Sequence, residues 1–438
     1  MVLGPVQIVK EVLGTPSVDL SDDALMAAPL PQGHIGVVTG AALYVGALIG
    51  PGLLLVPALS VEAAGPASIL AWVGLLILSA PLAVTFAALA VRYPVAAGVS
   101  EYVRAGFGER AAAVAGGWFL AAIVLGAPAV SLMGGYYVAD LTGASSGVAI
   151  GVALAIFGVV LVSNVLGVRV SASLQLVLSS LLVAVLAIAI AFALPTLRGE
   201  RWVPFAPHGW WAIGTAANIL IWLFVGWEAV AQLAGEFRRP SIDLPRAMAL
   251  AFVIVTVLYI SLAVTTIGIP GARGSRVPLA DLVSVGFGRV GRDTTAVLAV
   301  ALTMGTMNVY LGGGAKLAAA LANAGSMPRW LGRGAVRTVP LRPLALFTVA
   351  GSAILIALAG SLVSPTDLIR ATSSLFVAVY VLTIGSGLRV LHGRARLAAV
   401  AAVIMVAIVA VFSGWYLAIP AGVGLLVFLY GRVKSSRA

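Results

Sequence analysis

Gly46-Ala47-Leu48-Ile49-Gly50-Pro51-Gly52-Leu53-Leu54-Leu55-Val56-Pro57 lies inside an uncharged run, residues 24–61. A helix that spans a bilayer needs about 20 mainly apolar residues, and this run has room for one. Gly50-Pro51-Gly52 is nevertheless poor helix. Proline removes a backbone donor and crowds the preceding turn, and glycine adds backbone freedom. Backbone groups freed at mid-membrane cannot face lipid, so they must face protein or a polar cavity. Two readings stay open: a simple proline kink, or an unwound segment whose N–H groups receive an anionic group such as a carboxylate.

The rest of the chain supplies the membrane. Of 438 residues, 26 are Lys or Arg and 15 are Asp or Glu, which makes 9% charged; soluble domains carry roughly 25%. Hydrophobic residues reach 61% and mean hydropathy is +1.11. A soluble globular domain is excluded, and so is a disordered chain, which needs low hydrophobicity and high charge. Continuous rather than alternating apolar runs argue against a β-barrel. With no cysteine, disulfides, Fe–S clusters and thiol nucleophiles are excluded. The expected class is an all-α, polytopic membrane protein.

The uncharged runs are 24–61, 63–91, 111–139, 141–168, 170–197, 202–227, 247–272, 294–315, 343–366, 371–388 and 397–431. The last is long enough for a hairpin turning near Ser413-Gly414, so eleven runs give twelve expected spans. The first 33 residues lack a basic stretch ahead of a short apolar core, so no cleaved signal peptide is expected. The expected organisation is a cytoplasmic segment 1–33, one transmembrane domain 34–432, and a cytoplasmic tail 433–438. With the N-terminus inside, the inner segments hold 19 of the basic residues and the outer ones hold 7. That asymmetry puts both termini in the cytoplasm. It also explains the net charge of +11 without nucleic acid. The loop from Arg273 to Arg292 fits worst, with four arginines outside.

A second interruption is expected in the sixth span, Trp222-Leu223-Phe224-Val225-Gly226-Trp227-Glu228-Ala229. An acidic side chain near mid-bilayer costs about 2.5–3.5 kcal/mol on insertion scales. Glu228 is therefore either a hydrogen-bonded structural acid or a proton-coupling or gating carboxylate. Interruptions opening two halves of a chain are the best sequence pointer to a transport site. Asn164, Gln175, Asn308 and Tyr310 read as interhelical hydrogen-bonding residues. Trp222 reads as a pocket cap or as an ordinary core residue. His34, His208 and His392 fall at span ends or in loops, none at metal-ligand spacing, so no metal site is expected. A nucleotide-binding loop and a Ser/His/Asp arrangement are both absent from the sequence.

These residues resemble the amino acid–polyamine–organocation (APC) superfamily over nearly the whole chain. Ile49-Gly50-Pro51-Gly52-Leu53-Leu54 looks like that family's first-helix break. Arg92 through Gly98 looks like its loop after the second helix, and Phe224-Val225-Gly226-Trp227-Glu228 like its sixth-helix break. Glu236 through Pro240 with Pro245-Arg246-Ala247, and Ala315-Lys316-Leu317 through Met327-Pro328, look like two further family motifs. Five matches in order are specific. The length and sixth-helix wording are most similar to bacterial exporters of methionine and branched-chain amino acids.

The resemblance implies a LeuT-type fold. It has two inverted five-helix repeats, about 34–197 and 210–390 here, plus two extra helices over about 397–432. It implies alternating access with no cofactor, and a membrane protein of the cell (inner) membrane rather than an enzyme. The backbone of Ile49, Gly50 and Gly52 around Pro51 would hold a substrate carboxylate. Carbonyls around Phe224, Val225 and Gly226 would take the amino group, Trp222 would gate the substrate, and Glu228 would couple to protons or link moving helices. Pro51 stands where many relatives carry Ser or Thr, and run 170–197 lacks the lysine of some proton-coupled relatives. Thr303 and Thr306 leave a sodium site open. The expected partners are a small neutral amino acid, protons and the lipid bilayer. The rival substrate class on the same fold is amines or cationic amino acids.

Overall fold

The computed structural model describes residues 35–93, 99–167, 172–228, 234–269, 274–332 and 339–435. The segments expected over 1–33 and after 435, and the loop-motif residues Pro94 to Gly98, lie outside these. The described chain is helical apart from loops and one isolated β-bridge, Ile35 to Phe237. Ten of its helical stretches are long and apolar enough to cross a membrane. Two shorter apolar helices, Val37–Leu48 and Ala212–Phe224, accompany them. At 1.5 Å per residue each of these short helices reaches only about 20 Å, well under a bilayer's hydrocarbon thickness of about 30 Å. They are the segments in which the sequence expects breaks.

The first half contains α1 (Val37–Leu48), α2 (Val56–Ala64), α3 (Ser68–Arg92), α4 (Val99–Phe107), α5 (Glu109–Thr142), α6 (Ser146–Val165) and α7 (Ala172–Ala193). It is followed by α8 (Ala212–Leu220), α9 (Pro240–Gly268), α10 (Pro278–Asn323), α11 (Leu341–Ala359) and α12 (Pro365–Val390). The last pair is α13 (Gly393–Val411) and α14 (Ala418–Ser435). Between these two, Gly414 turns with φ 57°, where the sequence places a hairpin. The centre of the bundle is α5, which packs on α6, α10 and α12. Small residues let these helices close in. A Cβ on Gly135 of α5 would stand 2.1 Å from the Ala149 carbonyl oxygen of α6.

Not every helix spans. Helix α4 buries Val99, Tyr102 and Val103 on one side, an i, i+3, i+4 stripe that lays it against the bundle. Its Arg104 pairs with Glu101 and with Glu109, the latter at 2.8 Å. Arg389 of α12 donates to the Gly106 carbonyl at 3.1 Å and sits over the Phe107 ring.

Helix α10 runs further than the uncharged run 294–315 suggests. Gly288, with φ 54° and ψ −138°, divides it into an outer limb and the span proper. Arg292, just ahead of that run, is neutralised by partners. Arg292 donates to both oxygens of Asp140 at 2.6 Å and to Asp281 at 2.8 Å. Arg276 lies over the Tyr136 ring at 5.0 Å.

Candidate functional site

The first span is unwound rather than kinked. Helix α1 stops at Leu48; Ile49 (φ −93°, ψ 89°) and Gly50 (φ −124°, ψ −168°) are extended. Pro51–Leu54 form one 3₁₀ turn, Leu55 is again irregular, and α2 starts at Val56. Proline suits the first position of that turn, where its missing N–H has no helical acceptor to lose. Within the break the Leu53 amide reaches the Gly50 carbonyl at 3.1 Å and the Leu55 amide reaches Gly52 at 3.2 Å. The amides of Gly50 and Gly52 have no partner among the described residues.

The sixth span breaks in a matching way. Helix α8 tightens to a 3₁₀ turn over Ile221–Phe224, and Val225 is extended (φ −80°, ψ 128°). Gly226 follows at φ 140°, a conformation that penalises any side chain. A Cβ there would also come within 2.9 Å of the Ala47 carbonyl oxygen. Residues 229–233 lie outside the described chain.

The two breaks meet. A Cβ on Gly52 would stand 2.7 Å from Leu223 Cδ2 and 3.1 Å from Trp222 Cδ1. The Trp222 indole extends from there toward Gly126 of α5 and Thr372 of α12. Beside Gly50, in contrast, a Cβ would meet nothing within 4 Å. Of the two glycines, Gly52 is where one break packs on the other and Gly50 is the one that borders open space. Ile49 and Pro51 are buried. Phe224 is buried in a cluster with Trp72 (ring centroids 6.3 Å) and Tyr259 (5.3 Å), so only its backbone is available to a ligand.

Tyrosine hydroxyls hold the broken ends. The Tyr259 hydroxyl lies 3.0 Å from the Leu48 carbonyl and 2.9 Å from the Leu223 carbonyl, so its one proton is shared between the ends of both helices. Tyr137 donates to the Leu54 carbonyl at 3.0 Å and accepts from the Leu279 amide at 3.2 Å. Tyr380 of α12 donates to Glu228 Oε2 at 2.6 Å. The Gly226 amide donates to the same carboxylate oxygen at 3.1 Å and lies 3.4 Å from the Tyr380 oxygen. Glu228 is 7% exposed. It therefore ties the sixth-span break to α12. Sequence reasoning missed all three tyrosines; the only available signal was a polar tip inside an apolar span.

Other expectations have mixed outcomes. Asn308 donates to Ser163 of α6 at 3.0 Å, an interhelical bond, whereas Asn164 donates within its own helix to Val160 at 3.0 Å. Gln175 Oε1 and the Thr303 hydroxyl are buried without a hydrogen-bond partner among the described residues. Thr303 faces Gly134 of α5. His208 meets the Ala63 carbonyl at 3.0 Å near the end of α2.

Against known proteins, the family model described as amino acid permease matches residues 35–431. The uncharacterized amino acid permease YecA of Bacillus subtilis is 32% identical over 412 residues, covering 93% of this chain and 97% of that protein. The L-methionine/branched-chain amino acid exporter YjeH of Escherichia coli is 29% identical over 390 residues, covering 87% and 92%. Among solved structures, MhsT in complex with L-phenylalanine matches with a TM-score of 0.57 at 13% identity, over 87% of this chain and 100% of that one. That likeness is one of fold, and it gives this chain the expected LeuT-type architecture.

Proposed function

The chain belongs to the amino acid permease family, and from that premise we propose that it is a secondary active transporter of neutral, aliphatic amino acids of the methionine and branched-chain type. It works by alternating access in the cell membrane, as an exporter or proton-coupled antiporter. Its two halves, 34–197 and 210–390, each open with a broken helix, 397–432 adds two helices, and both termini face the cytoplasm.

One observation carries the reading: the Gly50 and Gly52 amides at the head of a 3₁₀ turn have no partner among the described residues, and Gly50 borders open space. Such amides are an anion site of the kind found at helix N-termini. The α8 turn packs on Gly52 through Leu223 and Trp222, and the partial negative charge of the carbonyls at its end would suit an ammonium group. The pair matches an amino acid zwitterion. Substrate neutrality is supported by Glu228, the acid at the sixth-span break, which is buried and whose Oε2 is already engaged by Tyr380 and Gly226. Export is supported by the exporter YjeH at 29% identity.

The same bonds support proton coupling through Glu228. A proton on this carboxylate removes acceptor capacity at one oxygen and loosens the tie between the sixth-span break and α12. The decisive experiment is competition uptake in proteoliposomes, with a panel of radiolabelled amino acids, with and without a pH gradient. Competition by leucine and methionine with acceleration by a gradient supports the reading. Strong competition by putrescine or arginine, with none by leucine, moves the assignment to amines.

A further inference from the structure

Away from the breaks, a cavity of about 770 Å³ opens on the side of the bundle between α3, α9 and the start of α13. That volume is within the range of ligand pockets. Its α3 wall is cut by Ala80, Ala83, Ala87 and Ala88, and its α9 wall carries Ala249 and Phe252. Val84 and Val253 line it while 50% and 58% exposed, so it opens sideways toward lipid rather than into the transport path. Along α3 it runs from Arg92 to Ala80, about 18 Å at 1.5 Å per residue. One leaflet of the hydrocarbon core is about 15 Å deep.

The two ends of this groove differ. The deep end is apolar. The other end holds Arg92 and His392, both exposed, where α3 finishes and the chain turns from α12 into α13. Neither has an ion-pair partner among the described residues. Arg246 adjoins the lining residue Pro245, and Arg394 and Arg396 flank the lining residue Ala395. The rim belongs to the end of the bundle that the basic-residue asymmetry assigns to the cytoplasm.

We propose that this groove is a binding site for one anionic phospholipid, with an acyl chain laid along the alanine face of α3 and the headgroup phosphate on Arg92 and His392. Depth selects a lipid over a soluble ligand, because the apolar part is one leaflet deep and open to the bilayer. Charge selects an anionic headgroup, because the rim is basic and lacks carboxylates among its lining residues. A guanidinium meets a phosphate with two parallel hydrogen bonds, whereas a zwitterionic headgroup brings its own cation to the same place. The proposal does not rest on the substrate reading.

The test uses the full chain in mild detergent, titrated with phosphatidylglycerol or phosphatidylcholine of identical acyl chains and read by native mass spectrometry. The wild type is expected to retain one phosphatidylglycerol about tenfold more strongly than phosphatidylcholine, the order of one or two charge-assisted hydrogen bonds. Arg92→Gln with His392→Gln should bring that ratio near one with no change in melting temperature. Ala249→Phe, which fills the groove from its exposed wall, should lower retention of both lipids. Equal retention of the two lipids by the wild type overturns the proposal, as does an unchanged ratio in the double variant. A dimer that separates on Ala249→Phe would also overturn it, by making a second copy the occupant.

Discussion

Gly50→Ala separates a ligand space from a packing defect better than any change at Gly52. Gly50 is extended at φ −124° and ψ −168°, which alanine adopts freely. Its added Cβ would meet nothing within 4 Å. Stability should therefore stay within about 0.5 kcal/mol of wild type, the usual range for a change that touches nothing. The added methyl would instead occupy the space next to two unpartnered amides. If a substrate carboxylate sits there, blocking one amide costs one charge-assisted hydrogen bond, about 1.5–3 kcal/mol, which is roughly 10- to 150-fold in affinity. Because every amino acid carries the same carboxylate, the loss should be equal for leucine, methionine and valine. The assay is concentration-dependent uptake in proteoliposomes beside a melting curve. Normal KM values in a stable Gly50→Ala protein would refute the reasoning and leave the break as a hinge with no carboxylate site. The contrast is Gly226→Ala, where φ 140° and the Ala47 carbonyl at 2.9 Å predict lost stability, about 1–3 kcal/mol from backbone strain alone.

Leucine amide and isocaproate, each lacking one charge of the zwitterion, should compete poorly with leucine, because the site's polar groups would be left unpaired; equal competition by either removes its half of the site. Glu228→Gln should keep part of the exchange activity and lose its pH dependence, and an unchanged pH profile at fixed internal substrate would leave Glu228 as a packing acid. Arg292→Gln leaves Asp140 and Asp281 without their shared cation. It should cost about 1–2 kcal/mol, as a partly exposed charge-assisted cluster would, and free the outer limb of α10. Since the chain has no native cysteine, a single cysteine at Ser284 reports that release as faster thiol labelling, and identical labelling rates would show that the cluster does not hold the limb.

The parts of this molecule that were legible in the sequence are those set by local backbone chemistry. Gly50-Pro51-Gly52 cannot continue a helix whatever surrounds it, and the break is found there. Gly226 signals the second break for the same reason. What escaped depends on partners far away in the chain. Tyr259 reaches the Leu223 carbonyl across 36 residues, Tyr137 reaches Leu54 across 83 and Tyr380 reaches Glu228 across 152. No spacing rule links such pairs. The start of α10 was misread for a related reason. Arg289, Arg292 and Asp293 look like a loop to a hydropathy count. Asp140 at the end of α5, together with Asp281, makes Arg292 compatible with the helix that resumes after Gly288.

A broken helix in a bilayer exposes carbonyls at one end and amides at the other, and each unsatisfied group costs several kcal/mol in hydrocarbon. Here the protein meets part of that cost with its own side chains. Tyr259 serves the Leu48 and Leu223 carbonyls, Tyr137 serves Leu54, and Glu228 with Tyr380 serves the Gly226 amide. The Gly50 and Gly52 amides have no such partner among the described residues, and Gly50 borders open space. A fold that needed only flexibility at this point would gain by capping them as it caps the others. Two amides left open, next to space that a side chain at residue 50 would enter, are consistent with a partner that arrives and departs. On the proposed function, a substrate carboxylate that binds, travels and dissociates would be such a partner, and it would satisfy the break only while the substrate is aboard.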